Sequence, residues 1–125
     1  GVDVEFAGFT DAPKSFLAGL HLYVQPSRSE GFCIAAHEAM AAGLPVIASA
    51  VGEMPYSIMP GVSGLTCAPA DTDALAHALE TLLATPSRLE EMGQAARNLV
   101  NQRYSRERFE RTGTAILTHI RQAHA

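Results

Sequence analysis

Apolar residues fall along the chain in two alternating rhythms. Short runs rich in β-branched and aromatic residues, at about Val4 to Ala7, Leu22 to Gln25, Val46 to Ser49 and Leu65 to Cys67, have the length and content of strands. Stretches of helical character separate them, above all the Ala-rich Ile34 to Ala42, with a short helix expected near Met54 to Ile58. Pro26 and Ser27 stop the second run, and Gly52, Pro55 and the Pro60-Gly61-Val62-Ser63-Gly64 turn break the middle of the chain. From Asp71 onward the rhythm is helical only. Asp71 is placed to cap a helix whose Leu75, Ala76, Leu79, Leu82 and Leu83 recur near the helical period, and Pro86 ends it and opens the next. Leu89, Met92, Ala96, Leu99 and Val100 continue that face. Ser105 leads into a last helix in which Phe109, Ile116, Leu117 and Ile120 are expected to be buried, while Arg103, Arg106, Arg108 and Arg111 form a solvated or salt-bridged face.

Strand and helix in alternation predict an α/β fold: a Rossmann-like parallel sheet of about four strands with helices on both faces, followed by C-terminal helices. With 125 residues, 47% of them hydrophobic, the chain suffices for one core and is too short for two sizeable domains. We therefore expect one unit over 1–125, with 71–125 its mainly helical part. A formal charge of −4 supplies no basic face, which argues against a nucleic acid partner. No apolar run reaches the roughly 18 residues of a membrane span, and the amino terminus lacks the pattern of a signal peptide. The two cysteines, Cys33 and Cys67, imply no disulfide, so the expected location is the reducing cytoplasm, with peripheral attachment to the inner face of a membrane the variant to consider. His21, His37, His77, His119 and His124 have no ligand-like spacing, so no metal site is expected.

The chemistry gathers in Ser27 to Ile47, where Glu30 falls in the loop after the second strand and Glu38 in the helix that follows. A helix opening at about Cys33 or Ile34 leaves backbone N–H groups without partners and carries roughly half a positive elementary charge, which attracts a phosphate or pyrophosphate. Gly31 lets the backbone come close. Glu38, one turn further in, has acceptors enough for a pair of ribose hydroxyls, and Glu30 has them for the hydroxyls of a sugar. Two carboxylates beside a pyrophosphate repel it unless hydroxyl donors intervene, which favours a nucleotide-sugar over a bare phosphate. Taken singly, a glutamate near a helix start also serves to complement the helix dipole, and a loop glutamate is commonly just solvated.

The pair Glu30 and Glu38 with the residues between them resembles the Glu-x7-Glu motif of the retaining GT-B glycosyltransferases of group 1, or family 4, type. Phe6-Ala7-Gly8-Phe9, Glu38-Ala39-Met40-Ala41-Ala42-Gly43-Leu44-Pro45-Val46-Ile47-Ala48, Val51-Gly52-Glu53-Met54-Pro55 and Gly61-Val62-Ser63-Gly64-Leu65 extend the resemblance through nearly the whole chain, up to the tail after Tyr104. The resemblance implies part of the C-terminal, donor-binding domain of such an enzyme, an incomplete GT-B C-terminal domain. It implies that Glu38 binds the ribose, that Glu30 lies by the donor sugar as the catalytic carboxylate, and that Gly31, Phe32, Cys33 and Ile34 offer N–H groups to sugar hydroxyls and phosphates. Gly8, Phe9 and Thr10, in the loop running to Asp11, would lie along the base and read it through main-chain groups. The implied partners are a nucleotide-sugar donor and a glycan, lipid or small-molecule acceptor held by an N-terminal domain. The terminal helix of such proteins crosses back to that other domain.

The chain departs from this pattern at two places. Cys33 stands where the family often has glycine, so that its side chain is expected to narrow the pocket or change the hexose that fits, or to serve as a small buried hydrophobe rather than a nucleophile. His37 stands at a usually apolar position and is expected at the helix surface with one nitrogen bonded. The site as read meets the pyrophosphate with backbone amides and a helix dipole, so transfer is expected to need no divalent ion and no cofactor. A basic Arg and Lys pair for the donor phosphates has no counterpart before Gly1, and a piece of this kind is expected to be inactive alone. In the order 3-2-1-4-5-6 of a doubly wound sheet the run near Val4 would be third and that near Leu22 fourth, leaving a gap or an open edge suited to self-association. The contrasting expectation is a non-catalytic α/β binding or assembly module, in which replacing either glutamate is inconsequential.

Overall fold

Val46, Ile47, Ala48 and Ser49 are all buried, and the fold is built around them. A strand covered on both faces reads as a continuous apolar run, the mark of a central parallel strand. The computed structural model describes residues 1–124. Its elements are α1 (Pro13–Ala18), β1 (Tyr23–Gln25), α2 (Ile34–Ala41), β2 (Val46–Ser49), α3 (Met54–Ser57), β3 (Gly64–Cys67), α4 (Thr72–Leu83), α5 (Pro86–Tyr104) and α6 (Arg106–Ala123). The sheet runs β1-β2-β3, parallel throughout, with Val24 opposite Ile47 and Ile47 opposite Leu65.

Alternation along β2 sorts the core into two faces. Val46 and Ala48 pack with Leu17, Ala36, Ala39, Met40, Met54, Ile58 and Ala96. Ile47 points the other way, into Ala78, Leu82, Leu89 and Met92. Helices therefore cover both faces, as the α/β pattern predicts. Helix α4 begins as expected, the Asp71 carboxylate accepting from the Ala74 N–H at 2.9 Å. Of its expected core face, Leu82 is buried and Leu83 is 56% exposed. Helix α5 lies close against the end of α2, where a Cβ on Gly93 would fall on the Gly43 carbonyl.

Two expectations fail. Val4 to Ala7 is not a strand, and Val4 and Phe6 are 75% and 95% exposed. A strand exists only in a ladder, and this segment finds none, so the sheet has three strands rather than about four and β1 pairs on one side only. The last helix forms, yet Phe109, Ile116, Leu117 and Ile120 are 78%, 55%, 57% and 48% exposed, because nothing among the described residues lies over that face. No helix among the described residues is long and apolar enough to cross a membrane.

Candidate functional site

The loop between β1 and α2 leaves the carboxyl edge of the sheet, where open α/β folds bind ligands. Its first half is tied down by a relay of side chains. Tyr23 donates its hydroxyl to Gln25 Oε1 at 2.7 Å, and the Gln25 amide donates to Ser27 Oγ at 2.8 Å and to Glu30 Oε1 at 3.1 Å. Ser27 then donates to the same Glu30 oxygen at 2.6 Å. Burial first, then the Cys33 thiol and the Glu30 and Glu38 carboxylates, push the Tyr23 phenol above its ordinary value, which keeps it a donor at the head of this relay. One Glu30 oxygen is thus occupied by two donors, and Oε2 has no hydrogen-bond partner among the described residues.

The second half is held by backbone. The Glu53 N–H donates to the Gly31 carbonyl at 3.0 Å. Gly52 has a φ of 56°, and a Cβ there would fall on the carbonyls of Glu30 and Gly31. Only glycine allows that approach. Gly52, a chain breaker and part of the Val51-Gly52-Glu53-Met54-Pro55 match in the sequence, thus also packs against the Glu30 loop, a contact that a glycine just past a buried strand does not announce.

Helix α2 starts at Ile34 with no side-chain cap. The first N–H bonded back across the turn is that of His37, to the Cys33 carbonyl at 3.3 Å, so the opening of the helix presents free donors. Glu38 is exposed one turn in, as expected. It opens on a cavity of about 470 Å³ lined also by Pro13, Lys14, Leu17, Ala41 and Arg97. Glu30, Gly31, Phe32, Cys33, Ile34 and Glu38 therefore share one loop and helix start. Gly8, Phe9 and Thr10 stand apart in an exposed segment before α1, where Thr10 Oγ1 accepts from the Ala12 N–H at 3.0 Å and Phe9 is 95% exposed. They are not joined to the Glu30 loop by any hydrogen bond among the described residues.

Cys33 takes the place expected of a small buried hydrophobe, whereas His37 departs from its expectation. The Cys33 side chain turns into the core beside Ala36 and Met54 rather than into a pocket, and burial pushes its thiol above the usual value. Its backbone sits at φ 61°. His37 is buried, not at the surface, and both ring nitrogens are bonded: Nδ1 to the Cys33 carbonyl at 2.9 Å and Nε2 to Ser57 Oγ at 2.7 Å. Phe32 stacks on its ring at 3.9 Å, and Tyr104 meets both rings edge-on.

The chain is similar to known proteins over most of its length. The profile of glycosyl transferases group 1 matches residues 1–99. A lipopolysaccharide core biosynthesis mannosyltransferase of Rhizobium leguminosarum bv. viciae is 35% identical over 103 residues, which are 82% of this chain and 29% of that protein. The solved C-terminal domain of a glycosyl transferase group 1 family protein from Francisella tularensis superposes with a TM-score of 0.72 at 27% identity, over 82% of this chain and 53% of that one. A protein from Anabaena in complex with UDP-glucose has a TM-score of 0.83 at 23% identity, over 92% and 32% of the two chains, and shares the fold. The chain spans 15 to 29% of the length of its sequence relatives. With the family match over residues 1–99 and the shared fold of that solved C-terminal domain, the chain belongs to the glycosyl transferases group 1 family and corresponds to the C-terminal domain of its GT-B members.

Proposed function

We propose that this chain is the donor-binding portion of a glycosyltransferase that moves a hexose from a nucleotide-sugar to an acceptor with retention of anomeric configuration. The observation that carries the reading is the fastened Glu30 loop, with a free carboxylate oxygen, at the mouth of an uncapped helix that bears Glu38 one turn in. In this reading Glu38 accepts from the ribose hydroxyls, and Glu30 Oε2 accepts from a hydroxyl of the sugar. The free N–H groups from Gly31 to Ile34 face the diphosphate, which takes on charge as the sugar departs. Donors already fixed in place stabilise that charge without reorganising. Retention places acceptor attack on the face the diphosphate leaves. The acceptor, a glycan, lipid or small molecule, is held by a second domain. The UDP-glucose bound by the Anabaena protein of the same fold supports a nucleotide-sugar as the donor class.

The test is calorimetry of a nucleotide-sugar on the full-length enzyme and on its Glu38→Ala variant. Loss of charged hydrogen bonds to the ribose is expected to weaken binding about tenfold or more. Unchanged affinity removes the ribose role and favours the non-catalytic module. This reading assigns the diphosphate to amide donors, so transfer is also expected to survive a chelator, and restoration of lost activity by manganese contradicts that.

A further inference from the structure

Two unusual features of α2 touch each other. Cys33 occupies the left-handed region, φ 61° and ψ 71°, which disfavours any residue with a Cβ and suits glycine. The carbonyl of that same residue receives the His37 N–H at 3.3 Å and lies 2.9 Å from His37 Nδ1.

The carbonyl partner fixes the direction of the first bond, and the neutral ring then sets the second. A carbonyl oxygen only accepts, so Nδ1 carries the proton. In the neutral ring Nε2 is then an acceptor, and it receives the Ser57 hydroxyl at 2.7 Å. Ser57 Oγ lies 3.4 Å from the Tyr104 hydroxyl, which completes the series from α5 through α3 to α2. The ring is also clamped by shape. Phe32 lies nearly parallel to it, with an interplanar angle of 7°, and Tyr104 abuts it at 88°. A buried imidazole held at both nitrogens and by two aromatic rings cannot turn away from the Cys33 carbonyl. Three separate segments are thus arranged around one bond to a strained peptide.

We propose that His37 is a positioning residue whose Nδ1–H holds the Cys33 peptide in its left-handed conformation, and so keeps the N–H groups between Gly31 and Ile34 aimed at the donor. A glycine at 33 adopts that conformation unaided; a cysteine needs the clamp. The two residues form one device, and the loss of either partner has different consequences depending on the other. The functional half of this inference rests on the donor-site reading above, whereas its conformational half does not.

The experiment is a double-mutant cycle in the full-length enzyme, with His37→Leu and Cys33→Gly made singly and together, and with His37→Asn and His37→Gln beside them. Asparagine sets an amide N–H near the place of Nδ1, and glutamine sets one near the place of Nε2. His37→Leu is expected to raise the donor KM about three- to tenfold, the worth of one hydrogen bond, with a smaller change in kcat. His37→Asn is expected to recover most of that loss and His37→Gln little of it. In the Cys33→Gly background the KM penalty of His37→Leu shrinks toward none, and so does its shift in thermal midpoint. The Ser57 hydroxyl loses its partner in both backgrounds, so its cost cancels in the cycle. Equal penalties in the two backgrounds overturn the proposal, as does rescue by Gln in preference to Asn. If His37→Leu does not fold, the Asn and Gln variants in the two backgrounds decide the matter. If the wild-type enzyme binds no nucleotide-sugar the donor reading fails, and the midpoint shifts alone still show whether the clamp exists.

Discussion

Helices α2 and α6 reverse the usual relation between apolar pattern and burial. Helix α6 sets Phe109, Ile116, Leu117 and Ile120 along its length and buries no residue at all. Helix α2 has no marked apolar stripe, yet buries Ala36, His37, Ala39 and Met40. The difference lies in the neighbours. Small alanines let α2 lie close to α5, β1 and β2, whereas α6 packs chiefly against α5. A stripe of apolar residues states what a helix can bury, and the surroundings decide whether it does.

Matched truncations in the two helices break or sharpen this contrast, and the larger effect belongs to α2. Met40 is fully buried among Leu44, Val46 and Ala96. Replacing it with alanine removes its packing and leaves a cavity in the core beside β2. Met40→Ala is expected to lower the unfolding free energy by about 2–5 kcal/mol, read from the denaturant midpoint at constant slope. A loss below 1 kcal/mol, on the order of a surface change, would mean that α2 is less firmly seated than its burial states.

The same contrast explains which parts of the molecule are legible in the sequence. Strand β2, the Asp71 cap and the placement of Glu30 and Glu38 are decided locally, by apolar runs, by one capping side chain and by a strand-to-helix turn. Those features were readable. The segment Val4 to Ala7 and the face of α6 carry equally good local patterns, but each needs a surface from outside itself, and local pattern cannot supply one. The burial of His37 and the contact made by Gly52 are not legible, for the opposite reason. Their roles come from partners distant in sequence: Ser57 and Tyr104 for the histidine, and the Glu30 and Gly31 carbonyls for the glycine. Nothing in the residues adjoining them announces those contacts.

The smallest effect is expected in α6, and it is the more informative arm. Ile116 and Leu117 are 55% and 57% exposed, so truncating either removes little packing from the described fold. In the 125-residue chain, Ile116→Ala and Leu117→Ala are each expected to change the unfolding free energy by less than about 0.5 kcal/mol, close to the value for an ordinary surface position. The amino-terminal cap gives an internal control, because Ser105 Oγ accepts from the Arg108 N–H at 3.2 Å and its loss frays α6 without touching the apolar face. Should Ile116→Ala cost as much as Met40→Ala while Ser105→Ala costs little, the apolar face of α6 must be buried by something in solution. The contrast between the helices would then be one of covering partner rather than of stability. Repeating the pair at increasing protein concentration distinguishes a second copy from a neighbour within the same polypeptide, since only association between copies makes the cost of Ile116→Ala depend on concentration.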